Sequence, residues 1–150
     1  MLDLGDRAPD FKLPDESGRE TRLADFKGKK LVLYFYPKDD TPGCTAESCA
    51  FRDNLSRVRR KGAEVVGISA DSPKSHTKFR EKYDLPFTLL SDEGKEVIKA
   101  YGVWKKKSFL GRAYMGIERT TFVIGERGIV THIFRKVKVA GHVDEVLKIL

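Results

Sequence analysis

Leu31 to Tyr36 is the longest unbroken run of apolar or aromatic residues in the chain. A β-rich run without polar alternation predicts a strand buried on both faces. Beyond it the period changes to a helical one, with Ala46, Ala50, Phe51, Leu55 and Val58 on one stripe. A helix is expected from Thr41–Pro42 to about Lys61. Thr41 suits its N-cap, Pro42 its first position and Gly62 its stop. "AEVVGISA" reads as the next strand. "DSPKSHTKFREKYD" reads as a helix capped by Ser72, with Pro73 in its first turn and His76 on its surface. "FTLLSD" is strand-like after Pro86, and "EGKEVIKAYG" is a short helix stopped by Gly102. Residues 103–117 read as a Lys- and Gly-containing loop, in which Trp104, Phe109, Leu110, Tyr114 and Met115 are candidate walls of a pocket. "RTTFVIGERGIVTHIFRKV" is a hairpin turning at Gly125–Gly128, and "HVDEVLKIL" is a closing helix. At the other end, Ala8–Pro14, a turn near Gly18 and "TRLADF" predict a β-hairpin.

Helices between the early strands imply parallel pairs with right-handed crossovers. The late hairpin adds antiparallel strands. The expected fold is α/β, with a mixed central sheet flanked by helices on both faces, preceded by an N-terminal β-hairpin extension. That order matches a thioredoxin-like fold, and a length of 150 residues suits a single domain over residues 1–150.

Composition narrows the function classes. The chain has 29 Lys+Arg against 22 Asp+Glu, a formal charge of +7. The basic runs Arg57–Lys61, Lys105–Lys107 and Arg135–Lys138 are separate from one another, and they read as solvated faces rather than a nucleic-acid site. "MLDLGDRAPDF" carries charges where a signal peptide needs an apolar core. No apolar run approaches the ~20 residues of a membrane span. A cytoplasmic protein without membrane or nucleic-acid partners is expected. A permanent disulfide is out of place there, because thiols are kept reduced.

The two cysteines, Cys44 and Cys49, are the only ones in the chain. Cys44 falls in the first turn of the predicted helix, at the carboxyl end of the buried strand, where active sites of open α/β sheets gather. Free N–H groups and the helix dipole favour an anion there, which lowers a thiol's pKa and makes it more nucleophilic. Five residues on an ideal helix place the two Cα atoms ~8.6 Å apart, beyond the ~7 Å limit of a disulfide. A bond between them therefore requires the first turns to unwind. A metal site needs about four ligands, and His76, His132 and His142 are far apart in sequence and read as structural. Cys49 can also be read as a plain core cysteine. A dithiol exchange protein is the nearest alternative, but its spacing is C-x-x-C, and no proline precedes the late strand at Thr121.

The segment Pro37-Lys38-Asp39-Asp40-Thr41-Pro42-Gly43-Cys44 resembles the P-x-x-x-T-x-x-C signature of the peroxiredoxins. With "TAESC" supplying Cys49, it resembles the bacterioferritin-comigratory-protein, or peroxiredoxin Q, branch. "GDRAPDFKLPDESG", "GISADSPKSHTKF", "PFTLLSD" and "ERTTFVI" extend the resemblance over nearly the whole chain. The resemblance implies a peroxidatic Cys44 and a resolving Cys49 that close an intramolecular disulfide. Thr41 would hydrogen-bond thiolate and peroxide, Arg119 would supply a guanidinium beside Cys44, and Pro37 would shield the sulfenate. Glu47, one turn after Cys44, is a candidate for tuning the site but is left out of the expected set. The implied substrates are hydrogen peroxide and organic hydroperoxides, the implied reductant is thioredoxin or a similar dithiol protein, and no cofactor or metal is called for. A resolving cysteine on the same chain is compatible with a monomer or a weak dimer.

Overall fold

The computed structural model describes all 150 residues. β1 (Lys12–Pro14) and β2 (Glu20–Arg22) pair antiparallel as the expected N-terminal hairpin. A 3₁₀ turn (Leu23–Phe26) leads into β3 (Lys30–Phe35), which is followed by α1 (Pro42–Asp53), α2 (Leu55–Arg60) and β4 (Ala63–Ser69). Then come α3 (Pro73–Tyr83), β5 (Thr88–Ser91), α4 (Glu96–Ala100), β6 (Trp104–Phe109) and β7 (Arg112–Ile117). β8 (Thr120–Ile124), β9 (Val130–Phe134) and α5 (His142–Ile149) complete the chain.

The central sheet has the order β5-β4-β3-β8-β9. β3, β4 and β5 are mutually parallel, and β8 runs antiparallel to both β3 and β9. This is the mixed, thioredoxin-type sheet that the element order predicts. Both early crossovers step the same way across the sheet, so right-handedness puts α1, α2 and α3 on one face. Alternation along β3 divides the core accordingly. Val32, Tyr34 and Tyr36 pack with Phe51, Leu55, Val58, Phe79 and the α5 residues Val143, Val146 and Leu147. Leu31, Leu33 and Phe35 pack on the opposite face with Phe122, Val97, Ile98, Tyr101 and the N-terminal Ala8, Phe11 and Leu13. The unbroken apolar run is thus a strand covered on both sides. No helix is long and apolar enough to cross a membrane.

Three details differ from expectation. The helix predicted over residues 41–61 breaks at Asn54, whose backbone (φ −114, ψ 7) leaves the helical region. The Asn54 side chain donates to the Ala50 carbonyl at 2.8 Å, a local bond that competes with the helix ladder. The stripe also rotates: Ala46 is exposed, while Glu47 and Ser48 are buried. Finally, residues 104–117 form a regular β-hairpin rather than a loop, with Lys107 opposite Tyr114 and Phe109 opposite Arg112. Its tip is Leu110–Gly111, both at positive φ.

Candidate active site

β3 ends at Phe35, and residues 36–41 carry the chain from the sheet into α1. Thr41 has the extended backbone of an N-cap (φ −104, ψ 154) and Pro42 takes the first helical position, as expected. The Thr41 hydroxyl does not cap the helix, however. It donates to the Lys38 carbonyl at 2.9 Å, turning back into the preceding turn. Cys44 is the third helical residue and is 1% exposed. Pro37 lies on the surface two residues after the strand.

The register of β8 against β3 explains how Arg119 arrives. Thr120 pairs with Phe35, the last residue of β3. Arg119 is therefore set just beyond the carboxyl end of β3, beside the start of α1. Its Nη2 donates to Cys44 Sγ at 3.3 Å, and its Nη1 donates to Glu47 Oε1 at 2.7 Å. The approach is close enough that a Cβ on Gly43 would stand 3.1 Å from Nη2. Gly43 thus leaves room for the guanidinium.

Glu47 is fully buried, one turn after Cys44 on the same helix face. Burial pushes its carboxyl up to about 7, opposed by the charge and hydrogen bond of Arg119. Its Oε2 has no hydrogen-bond partner. One guanidinium thus serves two acids, the thiol and the carboxyl. His142 lies buried nearby at the start of α5, with Nε2 2.8 Å from Thr121 Oγ1. Burial, and secondarily the Arg119 charge, lowers its pKa to about 4.

Cys49 is half-buried on α1, and both thiols are free. The helix between them is intact. A disulfide therefore needs the unwinding that the five-residue spacing requires.

The hairpin residues expected as pocket walls are open to solvent over much of their surface. Phe109, Leu110, Tyr114 and Met115 are 49–88% exposed. Trp104 is half-buried, with the Lys95 ammonium 5.4 Å from its ring centre. What the hairpin does contribute is Lys107, whose ammonium donates to the Ile117 carbonyl, two residues before Arg119. A cavity of about 210 Å³ lined by Leu23, Phe26, Leu31 and Ile124 sits at the opposite end of β3 from Cys44.

The surface position expected for His76 is overturned. Its side chain is fully buried, with Nδ1 2.7 Å from Asp39 Oδ2 and Nε2 2.9 Å from the Leu90 carbonyl. Asp39, Asp71 and His76 bring ligand-type atoms within 4.8 Å of one another, but all three also engage protein groups by hydrogen bond. Glu47, Asp39 and His76 are the residues that sequence reasoning missed. The available signal was positional: Glu47 and Ser48 stand three and four residues after Cys44, which puts them on its helix face.

Residues 4–133 match the AhpC/TSA family. The chain is 53% identical over 146 residues to a putative peroxiredoxin bcp of Coxiella burnetii, covering 97% of each chain. It is 48% identical over 149 residues to the peroxiredoxin Bcp of Bacillus subtilis, covering 99% of this chain and 95% of that one. Among solved structures, a cysteine-to-serine variant of Xylella fastidiosa PrxQ superposes with a TM-score of 0.94 at 38% identity, over 99% of this chain and 94% of that one. The bacterioferritin comigratory protein of Xanthomonas campestris, described with its alkyl peroxide reduction activity and a trapped intermediate, superposes with a TM-score of 0.88 at 42% identity, over 93% and 88%. With its cysteine on the first turn of α1, its guanidinium beyond β3 and its relatives on this scale, the chain belongs to the peroxiredoxin family, in the Bcp/PrxQ branch.

Proposed function

We propose that the chain is a thiol peroxidase that reduces hydrogen peroxide and organic hydroperoxides through Cys44 and a Cys44–Cys49 disulfide. The observation that carries this reading is the Arg119 guanidinium 3.3 Å from Cys44 Sγ, at the N-terminal turn of α1. The Cys44 thiolate attacks the terminal peroxide oxygen. An S–O bond forms, the O–O bond breaks, and the leaving oxygen departs with the electron pair and takes up a proton as water or alcohol. Negative charge grows on that leaving oxygen. A donor already fixed beside the sulfur stabilises the transition state more than the ground state. Arginine suits the role because it cannot lose its charge.

The product, a Cys44 sulfenic acid, condenses with a thiol. Cys49 is the only other thiol in the chain. Its thiolate attacks the Cys44 sulfur, and the hydroxyl leaves as water once protonated. A dithiol protein of the thioredoxin kind then reduces the disulfide by exchange through a mixed disulfide. In this reading Thr41 supplies the hydroxyl that meets the peroxide, which requires it to turn away from the Lys38 carbonyl it bonds here, and Pro37 shields the strand-to-helix turn. Resolution within one chain needs no second subunit, which fits a monomer or weak dimer, and the absence of a spanning helix fits a cytoplasmic location.

Cys44→Ser is expected to abolish peroxide turnover in a thioredoxin-coupled assay, and retained turnover would sink the assignment. Cys49→Ser is expected to react once with peroxide and then stall as sulfenic acid or overoxidise. Normal cycling of that variant with a dithiol reductant would remove Cys49 from the mechanism.

A further inference from the structure

The turn between β3 and α1 is tied down by a buried polar network to which the peroxidase chemistry assigns no role. Asp39 is 7% exposed. Its backbone N–H donates to Asp71 Oδ2 at 2.9 Å, an oxygen that also accepts from Ser69 Oγ at 2.6 Å. Its carboxylate accepts from Tyr36 OH at 2.6 Å and Ser75 Oγ at 2.8 Å, and it faces His76 Nδ1 at 2.7 Å. His76 Nε2 meets the Leu90 carbonyl at 2.9 Å. A carbonyl only accepts, so Nε2 carries a hydrogen, and the contact between Nδ1 and a carboxylate oxygen needs another between them. One residue on, Asp40 sits at φ 55 and its carboxylate accepts from Lys82 Nζ at 2.7 Å and Tyr83 OH at 2.8 Å. The turn is therefore fastened to the first and last turns of α3 and to the segment following β4.

We propose that Asp39 and His76 are positioning residues of the peroxidase reaction: the buried pair holds the Lys38–Thr41 turn against α3 in both the thiol and the disulfide state. This inference rests on the assignment of Cys44 and Cys49 as the reacting pair. Their disulfide demands that the start of α1 unwind, because the ~8.6 Å Cα separation of an intact helix must fall below ~7 Å. A chain free on both sides of Cys44 would lose the thiol–Arg119 geometry with every turnover. A chain fixed at Thr41 melts only from Pro42 onward and rewinds against a stationary cap. The network also sets where Cys44 stands relative to Arg119, which approaches from β8 on the other side of β3.

The test uses three variants and two readouts. Asp39→Asn weakens the pair. Tyr36→Phe/Asp39→Ala/His76→Leu removes the pair and the Tyr36 hydroxyl together, which costs less stability than orphaning one of them. Val146→Ala, a fully buried α5 residue, is the control for destabilisation alone. Stopped-flow oxidation of Cys44 and thermal midpoint are measured for each. Asp39→Asn and the triple variant are expected to oxidise roughly tenfold or more slowly, as misplaced reacting groups do. The triple variant recovers much of the thermal midpoint that Asp39→Asn loses. Val146→Ala loses thermal midpoint and keeps its rate. In addition, hydrogen exchange of the wild-type disulfide form is expected to show lost protection from Thr45, the first amide bonded into α1, to Cys49 and retained protection at the Asp39 amide. A folded triple variant with the wild-type oxidation rate overturns the proposal, and so does a disulfide form in which the Asp39 amide exchanges as freely as those of Thr45–Cys49. Wild-type protein whose Cys44 is not oxidised by peroxide at all overturns the peroxidase assignment itself, and with it this proposal.

Discussion

The Arg119 guanidinium divides its donors between Cys44 Sγ and the Glu47 carboxylate. A lysine is a point charge and cannot hold both contacts in one fixed fork. Arg119→Lys is therefore expected to slow Cys44 oxidation by roughly 10- to 100-fold, less than the roughly 100- to 1000-fold cost of removing one preorganised donor outright, because the charge is kept. The check is the second-order rate constant by stopped flow. An unchanged constant would show that the fork geometry is unimportant. Gly43→Ala tests the same contact from the other side. Its Cβ would stand 3.1 Å from Nη2, so oxidation should slow while the thermal midpoint stays close to wild type. At this scale the sequence was informative where a residue's role depends on local position. Cys44 and Thr41 lie on the first turn of a helix whose cap and proline are legible. Glu47 was not legible, because an acid on an amphipathic helix usually faces water. Its burial follows from the register of β8 on β3, which delivers its cation from 72 residues away. His76 was misplaced for the same reason: Asp39 and the Leu90 carbonyl reach it only through the tertiary fold.

Among the elements, β3 was the easiest to foresee and the β6–β7 hairpin the hardest. A two-residue hairpin turn with positive φ at both positions favours Asn-Gly or Asp-Gly. Here the first position is Leu110 at φ 50, so the usual signal was absent. Leu110 is 88% exposed and loses little packing on substitution. Leu110→Asn is expected to raise stability by a few tenths to about 1 kcal/mol by relieving the left-handed backbone. A lower thermal midpoint in that variant would contradict this account. The seat of α1 depends on a second close approach. Tyr34 lies over Gly67 of β4, where a Cβ would meet its ring at 2.8 Å. The same ring stacks on Phe51 with centroids 4.8 Å apart, and its hydroxyl is 2.8 Å from Ser48 Oγ. Gly67→Ala should cost about 1–3 kcal/mol by overpacking, and urea unfolding reads it directly. Because the displaced ring supports α1 one turn beyond Cys44, peroxide reactivity should fall as well. The break at Asn54 was invisible in the sequence, since the apolar stripe continues through Leu55 and Val58.

For the molecule as a whole, acid and base groups around Arg119 pull stability in opposite directions with pH. Glu47, raised from 4.5 to about 7, keeps a proton in the folded chain where the unfolded chain has released it. Acidification from about 7 towards 4.5 therefore favours the folded state through this group. His142, lowered from 6.5 to about 4, stays neutral where the unfolded chain is protonated. Acidification from 6.5 towards 4 therefore disfavours the folded state through this group. The displacements are similar in size and opposite in sign, so they nearly cancel in the wild type. Their separation is the prediction: between about pH 7.5 and about pH 5, His142→Gln should gain stability on acidification relative to wild type, and Glu47→Gln should lose it. Urea midpoints at the two pH values decide the matter, and parallel shifts in both variants would refute it.

The central claim is that one peroxide oxidises Cys44 and that Cys49 then closes the bond within the same chain. The most direct measurement mixes reduced protein with one equivalent of hydrogen peroxide in stopped flow, then takes the intact mass and locates the linkage by peptide mapping. The account predicts a monomer mass lighter by two hydrogens, no free thiol, and a single Cys44–Cys49 cross-link. A stable oxygen adduct on Cys49, a disulfide between two chains, or thiols that remain reduced would contradict it.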